Sequence, residues 1–184
     1  GCFERSVQGA ANLWSAEHGP ITILYRPAKQ AWLAEMMLTA RNRRGIQAVP
    51  TTLAGVRQMI KALRKGEAVG LLPDQVPPQG QGQWAPFFGK DAYTMTLAAR
   101  LALQTGASVI LARCERLPAG RGYELFFEAL PMQLSAQLED AVVQLNQAME
   151  HTIQQCPTQY LWGYGRYKQP RQEAAVSASE GGTA

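Results

Sequence analysis

Charge is scarce in this chain. Only 17% of its 184 residues are Asp, Glu, Lys or Arg, against about 25% in an average soluble domain. Hydrophobic residues make up 46%, and that balance excludes a disordered, solvated protein. Long apolar runs are missing as well. A stretch such as Ala68 to Pro73 falls far short of the ~20 residues that a membrane-spanning helix needs. The three cysteines, Cys2, Cys114 and Cys156, stand more than forty residues apart, no Cys-x-x-Cys occurs, and there are only two histidines, His18 and His151. Neither a disulfide framework nor a Cys/His metal site is therefore expected. The cysteines read as small buried hydrophobes in a reducing compartment, and the histidines as surface or capping residues. No Gly-x-Ser-x-Gly elbow is present, so the usual serine-nucleophile turn is excluded. The length predicts one domain, large enough to fold without staples. The initial Gly1 predicts a processed or truncated N-terminus.

The charge that is present is unevenly placed. The net charge is +4, yet Met36 to Gly66 holds seven basic residues (Arg41, Arg43, Arg44, Arg57, Lys61, Arg64 and Lys65) and no acidic one, so the rest of the chain nets −3. A block of one sign implies an anionic partner. A helix is predicted over Thr52–Lys65, with Leu53, Val56, Ile60 and Leu63 on one face and Arg57, Lys61 and Arg64 beside it. Cations bordering an apolar stripe suit a membrane-surface element, and they equally suit a core-facing helix with a solvated flank. A nucleic-acid partner is not expected, because the basic block comes with no recognition motif.

Along the chain, a helix is expected over 5–17 and a strand over Ile21–Tyr25, stopped at Arg26-Pro27. A second helix is expected over 28–44 with Gly45 as its stop, then a strand over Ile46–Val49 closed by Pro50. Thr51 or Thr52 caps the basic helix and Gly66 ends it. Ala68–Leu72 reads as a strand buried on both faces. Pro73–Lys90, rich in Pro, Gly and Gln, reads as a long loop. A helix is expected over 92–105, ending at Gly106. Strands at Ala107–Glu115 and Tyr123–Ala129 pair through a Pro118–Gly122 turn. A helix covers 135–155, and Ala174–Ala184 reads as a disordered tail. The alternation predicts an α/β protein: a mostly parallel central sheet with an antiparallel edge hairpin and helices on both faces.

The long loop follows a central strand, where open α/β sheets bind ligands. Its Gly82…Gly89-Lys90-Asp91 run is not a nucleotide loop: six residues separate the glycines instead of four, and Asp91 stands where Ser or Thr is required. Trp84, Phe87 and Phe88 either contact an acyl chain or lipid surface or fold back over the core. Asp74 and Arg26 each follow a strand end, so a carboxylate and a cation could face one cleft, or form a structural ion pair.

Several ordered strings carry a resemblance over about residues 1–171. They are Gly1-Cys2-Phe3-Glu4, Tyr25-Arg26-Pro27, Leu71-Leu72-Pro73-Asp74-Gln75, Pro86-Phe87-Phe88-Gly89 with Thr94, Ala98–Ala102 running into Thr105-Gly106-Ala107, Pro157–Trp162, and Arg166-Tyr167-Lys168. On these the chain resembles the late acyltransferases of lipid A biosynthesis, the lauroyl/myristoyl type, in the lysophospholipid acyltransferase superfamily. The resemblance implies a glycerolipid acyltransferase-like domain over 1–171, lacking its N-terminal part, and a tail over 172–184. It implies a His general base five positions before an orienting acid. Glu4 matches the acid, and the His falls two residues before Gly1. The chain as given is therefore expected to begin inside the catalytic motif, after a membrane-anchoring segment, and to be inactive alone. The alternative is a non-catalytic lipid- or membrane-binding domain. Arg26 is implied at acceptor phosphate or transition-state charge, and Asp74 in the acceptor site. Gly165 departs from the polar residue expected there. The implied donor is an acyl group on acyl carrier protein, and the implied acceptor is a Kdo-bearing lipid A precursor. The implied place is the cytoplasmic face of a bacterial inner membrane, with no metal or organic cofactor. Arg57, Lys61 and Arg64 would then meet the anionic membrane or the acidic carrier protein.

Overall fold

The computed structural model describes residues 2–25 and 45–172, with side chains from residue 9 onward. The helix expected over 28–44, Arg26, Arg41, Arg43, Arg44 and the tail from Ala174 lie outside the described residues. The elements are α1 (Cys2–Glu17), β1 (Ile21–Tyr25), β2 (Ile46–Pro50), α2 (Leu53–Arg64), β3 (Ala68–Gly70), β4 (Gly82–Phe87), β5 (Lys90–Met95), α3 (Leu97–Thr105), β6 (Ile110–Arg116), β7 (Tyr123–Ala129) and α4 (Leu138–Gln155).

Three strands form a parallel sheet in the order β2-β1-β3, with Ile21 level with Ile46 on one side and Ala68 on the other. Alternation along β1 sends residues to opposite faces. Ile23 and Tyr25 pack with Ile46, Ala48 and Ala11 of α1. On the other face Leu24, Val49 and Val69 meet Met59, Ile60 and Leu63 of α2 and Leu97 and Leu101 of α3. Helices thus cover both faces of the parallel sheet. Two antiparallel pairs, β4-β5 and β6-β7, form sheets of their own, so the β6-β7 hairpin is not an edge of the central sheet as the alternation had suggested. Trp14 of α1 reaches Phe127 of β7, ring centroids 5.6 Å apart, and ties the hairpin to the layer of α1.

Local signals set several boundaries. Thr52 caps α2, its hydroxyl accepting from the Gly55 N–H at 3.3 Å. Gly106 ends α3 in the left-handed region at φ 71°. Gly55 lets α2 close onto β2, because a Cβ there would collide with the Pro50 carbonyl.

Four expectations are corrected. β3 ends at Gly70, and its residues are half-buried because it is an edge strand of the sheet. Pro73–Lys90 is not all loop, since Gly82–Phe87 is a strand. The helix expected over 92–105 starts at Leu97, because Ala92–Met95 pair with β4. Cys114 and Cys156 are half-buried free thiols, not core residues.

Candidate functional site

The β4-β5 hairpin is the centre of the site. Its two-residue turn, Phe88-Gly89, has φ of 49° and 73°, the doubly left-handed geometry that fits the strand twist. A phenylalanine rarely adopts it. Here the Phe88 N–H donates to Glu150 Oε1 at 2.8 Å, and the ring lies against Phe87 and Trp162, so the surroundings hold the strained residue. Phe87 is 1% exposed and belongs to the core, whereas Trp84 is exposed; the fold-back reading therefore holds for Phe87 and not for Trp84.

A buried polar network crosses this hairpin. Arg166, 5% exposed, donates to the Tyr93 carbonyl at 2.8 Å and to Thr94 Oγ1 at 2.7 Å, with its guanidinium 5.0 Å from the Phe87 ring centroid. Asn146, fully buried on α4, donates from Nδ2 to Thr94 Oγ1 at 3.1 Å and to the Pro86 carbonyl at 2.9 Å. Tyr167 closes the same strand by donating to the Phe87 carbonyl at 2.7 Å. Buried polar groups need such partners. Gly165, at φ 71°, makes the turn that delivers Arg166 into the network, a geometry that favours glycine.

Asp74 sits at the rim of this network, in the segment that leaves β3. Its Oδ2 accepts from the Tyr160 hydroxyl at 3.2 Å, while its Oδ1 is shielded from solvent and unpartnered among the described residues. Burial pushes the Asp74 carboxyl above the usual carboxylate value, opposed by the Tyr160 hydrogen bond, then by its own backbone N–H and the Arg166 charge. The Tyr160 phenol is pushed well up by burial, then by the Asp74 charge. Arg166 is pushed down by burial and supported by Tyr160 and Asp74.

Of the site residues read from sequence, the structure brings Asp74 into this cluster. Arg26 lies outside the described residues, although β1, which leads to it, runs parallel to β3. Glu4 is on the first turn of α1. Arg57, Lys61 and Arg64 are exposed on α2. Of the expected apolar face, Ile60 and Leu63 pack against the core and Leu53 does not. Gly55, Met59 and Ala62 are its buried residues, while Leu53 is 79% exposed. In the sequence Tyr160, Arg166 and Thr94 stand only within the strings that carry the resemblance, with no role attached, and Asn146 stands in none of them. The signal for Asn146 was a lone amide on the apolar stripe Val142, Leu145 and Met149.

Two surface depressions, one of about 420 Å³ lined by Arg116–Ala119, Thr158 and Gln159 and one of about 220 Å³ near Ile21 and Ile46, are not lined by Asp74, Thr94, Asn146, Tyr160 or Arg166. Their linings hold no grouped acid, base and nucleophile. Among the described residues no group of His, Cys, Asp or Glu is placed to hold a metal ion, and no helix is long and apolar enough to cross a membrane.

A parallel sheet covered by helices on both faces, with a carboxylate bound by Tyr160 in the segment after β3, defines an α/β protein with a candidate polar site. Comparison with known proteins narrows this. The chain belongs to the bacterial lipid A biosynthesis acyltransferases, whose family profile matches residues 8–169. It is 35% identical over 117 residues to the lipid A biosynthesis lauroyltransferase of Escherichia coli K12, covering 61% of this chain and 38% of that protein. It is 27% identical over 150 residues to the palmitoleoyltransferase of the same organism and to a lipid A biosynthesis acyltransferase of Shigella flexneri, covering 81% of this chain and 48% of each. The chain thus spans less than half the length of these relatives. The family match includes Arg26, Arg57, Lys61, Arg64 and Asp74, and begins after Glu4.

Proposed function

We propose that the protein carrying this chain transfers a fatty acyl group from acyl carrier protein to a hydroxyl of a Kdo-bearing lipid A precursor, at the cytoplasmic face of a bacterial inner membrane. The family match over residues 8–169 supports the acyl transfer to a lipid A precursor in this reading; the donor, the Kdo sugars and the membrane face extend it. In the step itself the hydroxyl oxygen attacks the thioester carbonyl. The C–O bond forms, the C–S bond breaks, and the hydroxyl proton passes through a general base to the departing thiolate. The base is a histidine five positions before Glu4 in the full-length protein, and Glu4 orients its imidazole. Arg26 meets acceptor phosphate or the charge of the transition state. Asp74, with one carboxylate oxygen free, accepts a hydrogen bond from the acceptor. The purified full-length protein, given acyl carrier protein thioester and the precursor, is expected to yield precursor heavier by one acyl group. A folded protein that yields none would overturn the reading.

α2 supports the place of action. Leu53 stands 79% exposed at the end of the sheet where β2 finishes, and Arg57, Lys61 and Arg64 are exposed on the same helix. An apolar residue among cations fits an anionic bilayer surface, and the acidic carrier protein could use the same charges. Each cation near such a surface contributes about 1 kcal/mol. Reversing all three is therefore expected to weaken binding to anionic vesicles or to the carrier protein by about 100-fold or more. Unchanged co-sedimentation with vesicles together with unchanged carrier-protein affinity would sink this contact.

A further inference from the structure

We propose that Tyr160 is a positioning residue for Asp74: its hydroxyl fixes one carboxylate oxygen and leaves the other unpartnered among the described residues. This rests on the reading of Asp74 as an acceptor-site residue and goes beyond it, by assigning the site's geometry to a part of the chain 86 residues away.

The segment that follows β3 is held at three points from the C-terminal side. Tyr160 donates to Asp74 Oδ2 at 3.2 Å. The Tyr164 hydroxyl accepts from the Val76 N–H at 2.9 Å, and the Arg171 carbonyl accepts from the Gln79 N–H at 3.0 Å. The clamps are themselves anchored. The Tyr160 ring meets Trp162 edge to face at 4.9 Å, and the Trp162 indole donates to the Pro157 carbonyl at 2.8 Å. Arg166 is pinned to β5 by its two hydrogen bonds. It makes no ion pair with Asp74 within 4.0 Å, and its bonds hold β5. The carboxylate is therefore oriented by the Tyr160 hydroxyl, with Oδ1 left unpartnered and shielded from solvent. An unpaired buried acceptor is costly. The titratable groups that bear on Asp74 are Tyr160 and Arg166; Tyr167 faces both of these, and Tyr164 faces Arg166.

Tyr160→Phe isolates the hydroxyl, because the ring stays on Trp162. In the full-length protein, assayed with acyl carrier protein thioester and the lipid A precursor, KM for the acceptor is expected to rise about tenfold, with kcat little changed. The hydroxyl favours the charged carboxylate, so its loss moves the acid limb of the kcat/KM profile to higher pH. In an Asp74→Asn background the same substitution is expected to add nothing. A uniform loss of kcat at every pH, or effects that add in the Asp74→Asn background, would make Tyr160 merely structural and overturn the proposal. If Asp74→Asn alone left the acceptor KM unchanged, the reading of Asp74 would fall first, and the positioning proposal with it.

Discussion

Arg166→Ala is expected to cost about 3–5 kcal/mol of folding free energy, the range seen when one member of a buried polar set is removed. For a chain of this size that lowers the melting temperature by roughly 10 °C. Three losses add up. The Tyr93 carbonyl and Thr94 Oγ1 each lose a short hydrogen bond, and a buried acceptor left without its donor carries a desolvation penalty. The guanidinium's contact with the Phe87 ring goes, leaving a cavity beside one of the largest fully buried side chains. The carboxylate of Asp74 also loses its nearby positive charge. Arg166→Met separates these contributions, because it refills most of the volume without donating. Thermal denaturation should rank wild type above Met above Ala. A protein as stable with alanine as with arginine would mean that the network does not hold the hairpin.

Asp74→Asn is expected to have the opposite balance, with lost function and kept stability. Burial raises the Asp74 pKa in the folded state above its unfolded value. A raised carboxyl favours the fold at pH below the unfolded value, and that contribution is lost as pH rises through the folded value. At neutral pH the charged form is therefore a burden on the fold. Asparagine removes the charge, and its amide oxygen can still accept from Tyr160. Stability at pH 7 should be unchanged or slightly higher, the usual sign of a residue kept for function. Acceptor binding, by contrast, loses a charge-assisted hydrogen bond, which predicts about a 100-fold fall in kcat/KM for the acceptor.

The parts of this fold that were legible in the sequence are those written in local patterns. β1, β2, α2 and α4 follow from apolar periodicity, and Thr52 and Gly106 mark helix ends by chemistry that depends on near neighbours. The β6-β7 hairpin was legible from its turn. The β4-β5 hairpin was not. Its strand contains Pro86, tolerated because β4 has one partner strand and an open edge, and its turn begins with Phe88, where Asn or Asp would have signalled it. Ala92–Met95 were drawn into a helix because their apolar character continues that of α3, and only pairing with β4 decides otherwise. The same holds for the site. Asp74 was visible after an expected strand end, but Tyr160 reaches it, and Arg166 reaches β5, by tertiary folding alone, from a segment whose local sequence reads as short turns. Leu53 misled for the converse reason. The apolar stripe of α2 suggested a buried face, while the glycine at position 55 lets the helix seat on Met59 and Ala62.

Acceptor saturation, measured on the full-length protein and its Asp74→Asn variant with acyl carrier protein thioester as donor, tests the assignment of this cluster most directly. The wild-type protein should transfer the acyl group and saturate with lipid A precursor. The variant, folded and equally stable, should need far more acceptor for the same rate while its dependence on the donor stays the same. Transfer that is indifferent to Asp74, or a loss that appears in donor dependence and not in acceptor dependence, would contradict it.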